Sequence, residues 1–260
     1  MLMQLATVAG GLFVGLVAIA IVYLLGMRAK SPLVLNPLIR LQRAIINPKQ
    51  MRSAGTPGAD ASVKQGRWER MRFLGVELFG KTLGVLGIGK IGFRVALRAK
   101  AFGMNILAYD PYLTRHSLNV TETGAELVDL DTLLSRSDFI TVHLPLTQET
   151  KHMLNEARLS KMKPTAYLVN TSRGPVINEA DLYKILKERI IAGAALDVRE
   201  KEPPGDSPLH QLDNILLTPH VAGLTYEAQD KVTDSVGEDV DRVLSGLPAL
   251  RYVNFPRPRK

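Results

Sequence analysis

Gly87-Ile88-Gly89-Lys90-Ile91-Gly92 lies between an apolar run, Thr82 to Gly87, and a helical pattern, Ile91 to Gly103. A glycine-rich turn alone is common. Here it closes one predicted strand, opens a predicted helix, and precedes a second strand, Asn105 to Asp110, that ends on a carboxylate. That context is the one a dinucleotide-binding turn requires. Gly87 permits the tight turn, and Gly89 lets backbone N–H groups approach a pyrophosphate. Gly92 allows close packing of helix on strand, and the helix N-terminus offers partial positive charge. Asp110 would accept hydrogen bonds from ribose hydroxyls and repel a 2′-phosphate, favouring NAD over NADP despite Arg115 nearby. The other reading is a structural turn and a surface Asp.

The rest of the chain repeats the same alternation. Apolar strands are expected at 138–144, 165–170, 192–197 and 214–219. Helices are expected at "DLDTLLSRS", behind an Asp cap, at "NEARLSKM", and at "NEADLYKILKERI", behind an Asn cap. A long final helix is expected from about Tyr226 to Leu247. Strands this continuously apolar argue a parallel sheet covered on both faces: an α/β, doubly wound architecture of the Rossmann type.

Upstream lie two different zones. Residues 1–27 carry no charged side chain. Residues 28–60 are basic and punctuated by Pro, Gly and Ser, with one short helix expected at 38–46. Cysteine is absent and the net charge is +8. Disulfides and Cys-ligated zinc are therefore ruled out. The basic excess concentrates between Arg28 and Arg72, opposed only by Asp60 and Glu69. No recurring stripe of basic and aromatic residues suggests nucleic acid. An uncharged run above about 20 residues can span a bilayer, and the basic residues after it would stay cytoplasmic. The expectation is a membrane anchor at 1–27 that touches the lipid bilayer and carries a cytoplasmic catalytic domain. The alternative is a core helix docked on a cytoplasmic protein.

Four polar residues stand at three expected strand ends. Arg173 follows 165–170, Asp197 and Glu202 follow 192–197, and His220 follows 214–219. Ligands of open α/β sheets bind at those carboxyl ends. Arg, Glu and His there form an acid–base constellation, although each alone is more often structural.

With "GRWERMRFLGVELFGKTLGVLGIGKIG", "HLPLT", "NTSRGPVINEADL", "AGAALDV", "EPP" and "PHVAG" in order, the chain resembles the D-isomer-specific 2-hydroxyacid dehydrogenases, the phosphoglycerate dehydrogenase branch most of all. The resemblance implies hydride transfer between NAD and a small 2-hydroxy or 2-oxo acid. It implies that Arg173 binds the substrate carboxylate, His220 is the general acid–base, and Glu202 is its partner. It implies cofactor contacts from Gly87, Gly89, Lys90, Ile91, Asp110, Leu144, Pro145, Thr147, Thr171, Asp197, His220 and Gly223, and a homodimer clasped by the segment holding Trp68, Phe73, Leu74 and Leu78. It places an NAD-binding domain at 61–254 and leaves 255–260 as a basic tail.

Relatives carry a smaller substrate domain over roughly their first hundred residues. Fewer residues precede the cofactor domain here, and they show no β–α alternation. Two functions are therefore open: an NAD-dependent dehydrogenase, or a non-catalytic NAD-holding module. A truncated reading frame is a third possibility.

Overall fold

The computed structural model describes residues 56–73 and 75–251, which divide into two compact units, 56–222 and 223–251. Helix α1 (Thr56–Lys64) opens the first unit. The strands are β1 (Thr82–Leu86), β2 (Asn105–Tyr109), β3 (Glu126–Leu127), β4 (Phe139–Val142), β5 (Tyr167–Asn170), β6 (Gly193–Leu196) and β7 (Ile215–Leu217). Between them run α2 (Lys90–Ala101), α3 (Leu118–Thr123), α4 (Leu130–Arg136), α5 (Glu156–Leu159) and α6 (Glu179–Lys187). Every strand pair is parallel, in the order β3-β2-β1-β4-β5-β6-β7. The chain winds outward from β1 one way and then from β4 the other, leaving a topological switch point between them.

Period-two alternation decides which side chain faces which layer. In β1, β4 and β5, Val85, Phe139 and Tyr167 enter one cluster with Ile88, Ala96 and Ile106. Their neighbours Leu86, Ile140 and Leu168 enter the other, with Leu133, Leu154, Leu182 and Ile185. Each fully buried Leu or Ile contributes about 1.5–3 kcal/mol. A sheet coated in this way explains why its strands lack polar alternation.

The helix starts agree with the capping residues. Asp129 accepts from the Thr132 N–H at 2.8 Å to open α4, and Asn178 accepts from the Ala180 and Asp181 N–H groups at 3.1 Å to open α6. Glu179 and Asp181 in the first turn of α6, with Lys184 and Lys187 in its last, complement the helix dipole. The short β3 and α3 were not anticipated. Two strand residues lack a pattern, and α3 ends on Gly124 at φ 67° after barely two turns.

In the second unit, α7 (Tyr226–Leu244) is capped by the Thr225 hydroxyl, which accepts from Ala228 N–H at 3.0 Å. The chain after it is tied back by Asp239, which accepts from the Leu250 and Arg251 N–H groups.

The membrane reading is corrected. Among the described residues no helix is long and apolar enough to cross a membrane. The longest, α7, bears Glu227, Asp230, Lys231, Asp234, Glu238, Asp239, Asp241 and Arg242. An N-terminal apolar helix is not among the described elements. Residues 1–27, the linker up to residue 55 with its expected helix at 38–46, and the tail at 255–260 lie outside the described residues.

Candidate active site

The first β–α turn is shaped by backbone. Gly87 has φ 86°, a conformation L side chains rarely adopt, and a Cβ there would meet the His143 carbonyl at 2.9 Å. A Cβ on Gly92 would lie 2.0 Å from the Gly87 carbonyl oxygen, so α2 can sit this close to β1 only with glycine. A Cβ on Gly89 meets nothing within 4 Å. Gly89 caps α2 without a side-chain hydrogen bond, and Lys90 and Ile91 are exposed on its first turn. Asp110 sits just past β2, where its carboxylate accepts from the Ile88 N–H at 3.2 Å and the Tyr112 N–H at 3.1 Å. These two bonds hold the carboxylate beside the turn while leaving acceptor capacity for a diol. A tight turn, an open Gly89 and a fixed acid together fit a dinucleotide.

Beyond β4, Leu144 is buried, while Pro145 and Thr147 are exposed on a loop pinned by Thr150. The Thr150 hydroxyl accepts from the Thr147 N–H at 2.8 Å and donates to the Pro145 carbonyl at 2.7 Å. His143, at the end of β4, bonds through Nε2 to the Thr141 hydroxyl at 3.0 Å. Removal from water pushes its pKa down to about 4, so the ring is neutral at physiological pH.

Beyond β5, the fully buried Asn170 side chain is committed to the next turn. Its Oδ1 accepts from the Ser172 N–H and hydroxyl, and its Nδ2 donates to the Arg173 carbonyl at 2.9 Å. Thr171 is half-buried in that turn, and Arg173 is exposed at its end.

Beyond β6 and β7, the buried Asp197 organises the histidine loop. Its carboxylate accepts from the Thr218 hydroxyl (2.6 Å), the Val221 N–H (2.9 Å) and the Ala222 N–H (2.8 Å). Its carbonyl accepts from the His220 N–H at 2.8 Å. Those bonds hold His220 at φ 53°, an uncommon backbone state for a side-chain-bearing residue. His220 Nδ1 then meets Glu202 Oε2 at 2.8 Å, while Glu202 Oε1 accepts from the Arg199 N–H at 2.8 Å. Bonding to His220 is the main influence that holds the Glu202 carboxyl below the usual glutamate range. Burial opposes it, and the Arg199 N–H and the charges of His220 and Arg173 reinforce it. Glu202 and His220 are thus in direct contact, with Arg173 near enough for its charge to act on Glu202. Gly223 opens the second unit.

Sequence reasoning missed His143, Asn170, Glu179 and Arg199. Asn170 stands inside "NTSRG", and Glu179 is an acid at a helix start, both visible signals. Arg199 lies in the charged run "VREKE", which reads as a solvated loop, yet it is 7% exposed.

A family model described as "D-isomer specific 2-hydroxyacid dehydrogenase, NAD binding domain" matches residues 51–222. The chain is 49% identical over 201 residues to a D-3-phosphoglycerate dehydrogenase of Archaeoglobus fulgidus, covering 77% of this chain and 38% of that protein. It is 48% identical over 187 residues to a glyoxylate reductase of Korarchaeum cryptofilum, covering 70% of this chain and 56% of that protein. A D-lactate dehydrogenase of Aquifex aeolicus, solved with NAD and lactic acid, superposes with a TM-score of 0.70 at 32% identity, covering 85% of this chain and 68% of that one. The chain therefore spans about a third to three-fifths of the curated relatives it matches. With the turn, the strand order and these matches in place, the chain belongs to the D-isomer-specific 2-hydroxyacid dehydrogenase family, through its NAD-binding domain.

Proposed function

We propose that this protein is an NAD-dependent oxidoreductase that interconverts a small 2-hydroxy acid and its 2-oxo acid, with phosphoglycerate, hydroxypyruvate and glyoxylate as the substrate class. The observation that carries the reading is the His220–Glu202 contact of 2.8 Å at the carboxyl end of the sheet, with the Arg173 charge beside it. When bound, NADH supplies the hydride that reaches the carbonyl carbon. His220 supplies the proton. Its Nδ1 is held by Glu202, which leaves Nε2 to protonate the forming alkoxide in reduction and to take the hydroxyl proton in oxidation. The Glu202 carboxylate fixes the orientation of the imidazole through Nδ1. Arg173 offers a guanidinium fork that matches the carboxylate of a 2-oxo acid. Gly87, Gly89, Lys90, Ile91 and Gly92 would hold the pyrophosphate, and Asp110 the adenosine ribose. Leu144, Pro145, Thr147, Thr171 and Asp197 would line the nicotinamide side. Of the residues expected to clasp a second copy, Trp68 is exposed but Leu78 is buried in the core, so a homodimer would use Trp68 with the exposed Met71 and Phe79 instead.

The test is NADH oxidation by purified protein against a panel of 2-oxo acids, with His220→Gln alongside. Wild-type turnover that falls about 10²–10⁴-fold in His220→Gln, at unchanged NADH affinity, is the expected result. Equal rates in the two proteins would remove His220 from the chemistry. A second reading is an NAD-holding module without turnover. It predicts NADH binding with no oxidation in either protein.

A further inference from the structure

Arg199 is a buried cation that the proposed chemistry does not use. Its guanidinium is clamped by Glu179 through two bonds, Nε to Oε1 at 3.0 Å and Nη2 to Oε2 at 2.8 Å. Nη2 also donates to the Ser207 hydroxyl at 2.9 Å, and Nη1 lies 3.3 Å from His210 Nε2. The two charged side chains are 6% and 17% exposed, so the pair is largely withdrawn from water. Such a pair contributes little net stability, because desolvation offsets its Coulombic attraction. What it does supply is a fixed place for the backbone of residue 199.

That backbone touches both halves of the acid–base constellation. The Arg199 N–H donates to Glu202 Oε1, and Glu202 Oε2 meets the imidazole. The Arg199 carbonyl packs so tightly on Gly174 that a Cβ there would lie 1.8 Å from its oxygen. Gly174 directly follows Arg173. The clamp is doubled one residue on, where the Glu200 N–H donates to Glu179 Oε1 at 2.6 Å and Glu200 Oε2 accepts from the Glu179 N–H at 3.1 Å. Helix α6 therefore grips the 199–200 peptide from its first residue.

We propose that Arg199, locked by Glu179, is a positioning residue that holds Glu202 against His220 and sets the approach of the Arg173 turn to both. The inference rests on the oxidoreductase reading for the meaning of that arrangement, but its test needs neither substrate nor cofactor. Glu202 is the reporter, since its carboxyl lies below the ordinary glutamate range because of His220 first and, among the remaining causes, the Arg199 N–H.

The experiment is a carbon-13 NMR titration of the Glu202 carboxyl in the full chain, for wild type, Glu179→Gln and Arg199→Lys. Circular dichroism of each checks that it is folded. Arg189→Met serves as control, because it removes an exposed ion pair to Asp213 elsewhere on the same unit. The expected result is a depressed Glu202 midpoint in wild type and control, and a midpoint raised to the ordinary glutamate range in folded Glu179→Gln. Arg199→Lys, which keeps the charge and loses the fork, should show the same rise in smaller measure, and it stands in if Glu179→Gln does not fold. An unmoved Glu202 midpoint in either folded variant overturns the proposal. Absence of 2-oxo acid reduction by wild type would instead remove the oxidoreductase reading and leave this titration result standing.

Discussion

The crevice along the carboxyl ends of the strands is built in two ways. Around β1 and β2 it is made of backbone: Gly87, Gly89 and Gly92 shape a turn, and the one acid, Asp110, is fixed by two N–H groups. Around β5, β6 and β7 it is set by side chains: Asn170 ties the turn that carries Arg173, Asp197 ties the histidine loop, and Glu202 meets the imidazole. A dinucleotide has an invariant shape, so a backbone mould suits it. A proton must move at the other end, and only titratable side chains can carry it. The backbone half should respond to added volume, and the side-chain half to altered charge.

His143 is the most direct way to break that contrast, because it is a titratable group whose carbonyl packs on Gly87. Its folded pKa of about 4 lies below the 6.5 of an ordinary histidine. Between those values the unfolded chain binds more protons than the folded one, so stability rises with pH. The contribution is complete above pH 6.5 and disappears as pH falls toward 4, amounting to about 3 kcal/mol by linkage. Urea melts of wild type and His143→Gln at pH 7.5, 6 and 5 check it. Wild type should lose stability over that window and the variant much less. Parallel slopes would show that His143 does not titrate with folding. The Glu202 and Asp138 carboxyls, both held below their ordinary values, act at lower pH, where protonation removes their contribution.

Gly92→Ala sharpens the contrast. A methyl 2.0 Å from the Gly87 carbonyl must push α2 off the strand, at a cost of about 1–3 kcal/mol. Thermal unfolding reads the loss, and a wild-type midpoint would mean that the helix is free to shift. Asp110→Ala acts on recognition instead. It should narrow the preference for NADH over NADPH by about tenfold, the scale of one lost hydrogen bond to a charged group, as measured by fluorescence titration of both dinucleotides. An unchanged ratio would place the ribose elsewhere. Gly89→Ala should be the mildest for folding, within about 0.5 kcal/mol, since its Cβ meets open space. Weakened NADH binding with an unchanged melt is the expected pair of results, and unaltered NADH affinity would detach Gly89 from the pyrophosphate.

Much of the fold is legible in the sequence, and the reasons are local. Strand runs, the Asp129 and Asn178 caps and the G-x-G-x-x-G turn follow rules that act over a few residues, so their positions came within about three residues of those observed. The short β3 and α3 carry too few residues to generate a pattern. The membrane reading draws on the length and hydropathy of the run and on the basic residues after it, and no described helix supports it.

The amino-acid sequence by itself determined the β–α alternation, the glycine turn, and the presence of Arg173, Glu202 and His220 at three strand ends. Periodicity, capping and positive φ are properties of neighbouring residues, so a linear reading reaches them. Tertiary structure decided which of those polar groups meet and which are withdrawn from water. Arg199 finds Glu179 20 positions away, and the Asp197 carboxylate is spent on the loop that bears His220. Burial pushes the His143 pKa down. Burial and long-range pairing depend on how distant segments pack, and packing cannot be read one residue at a time.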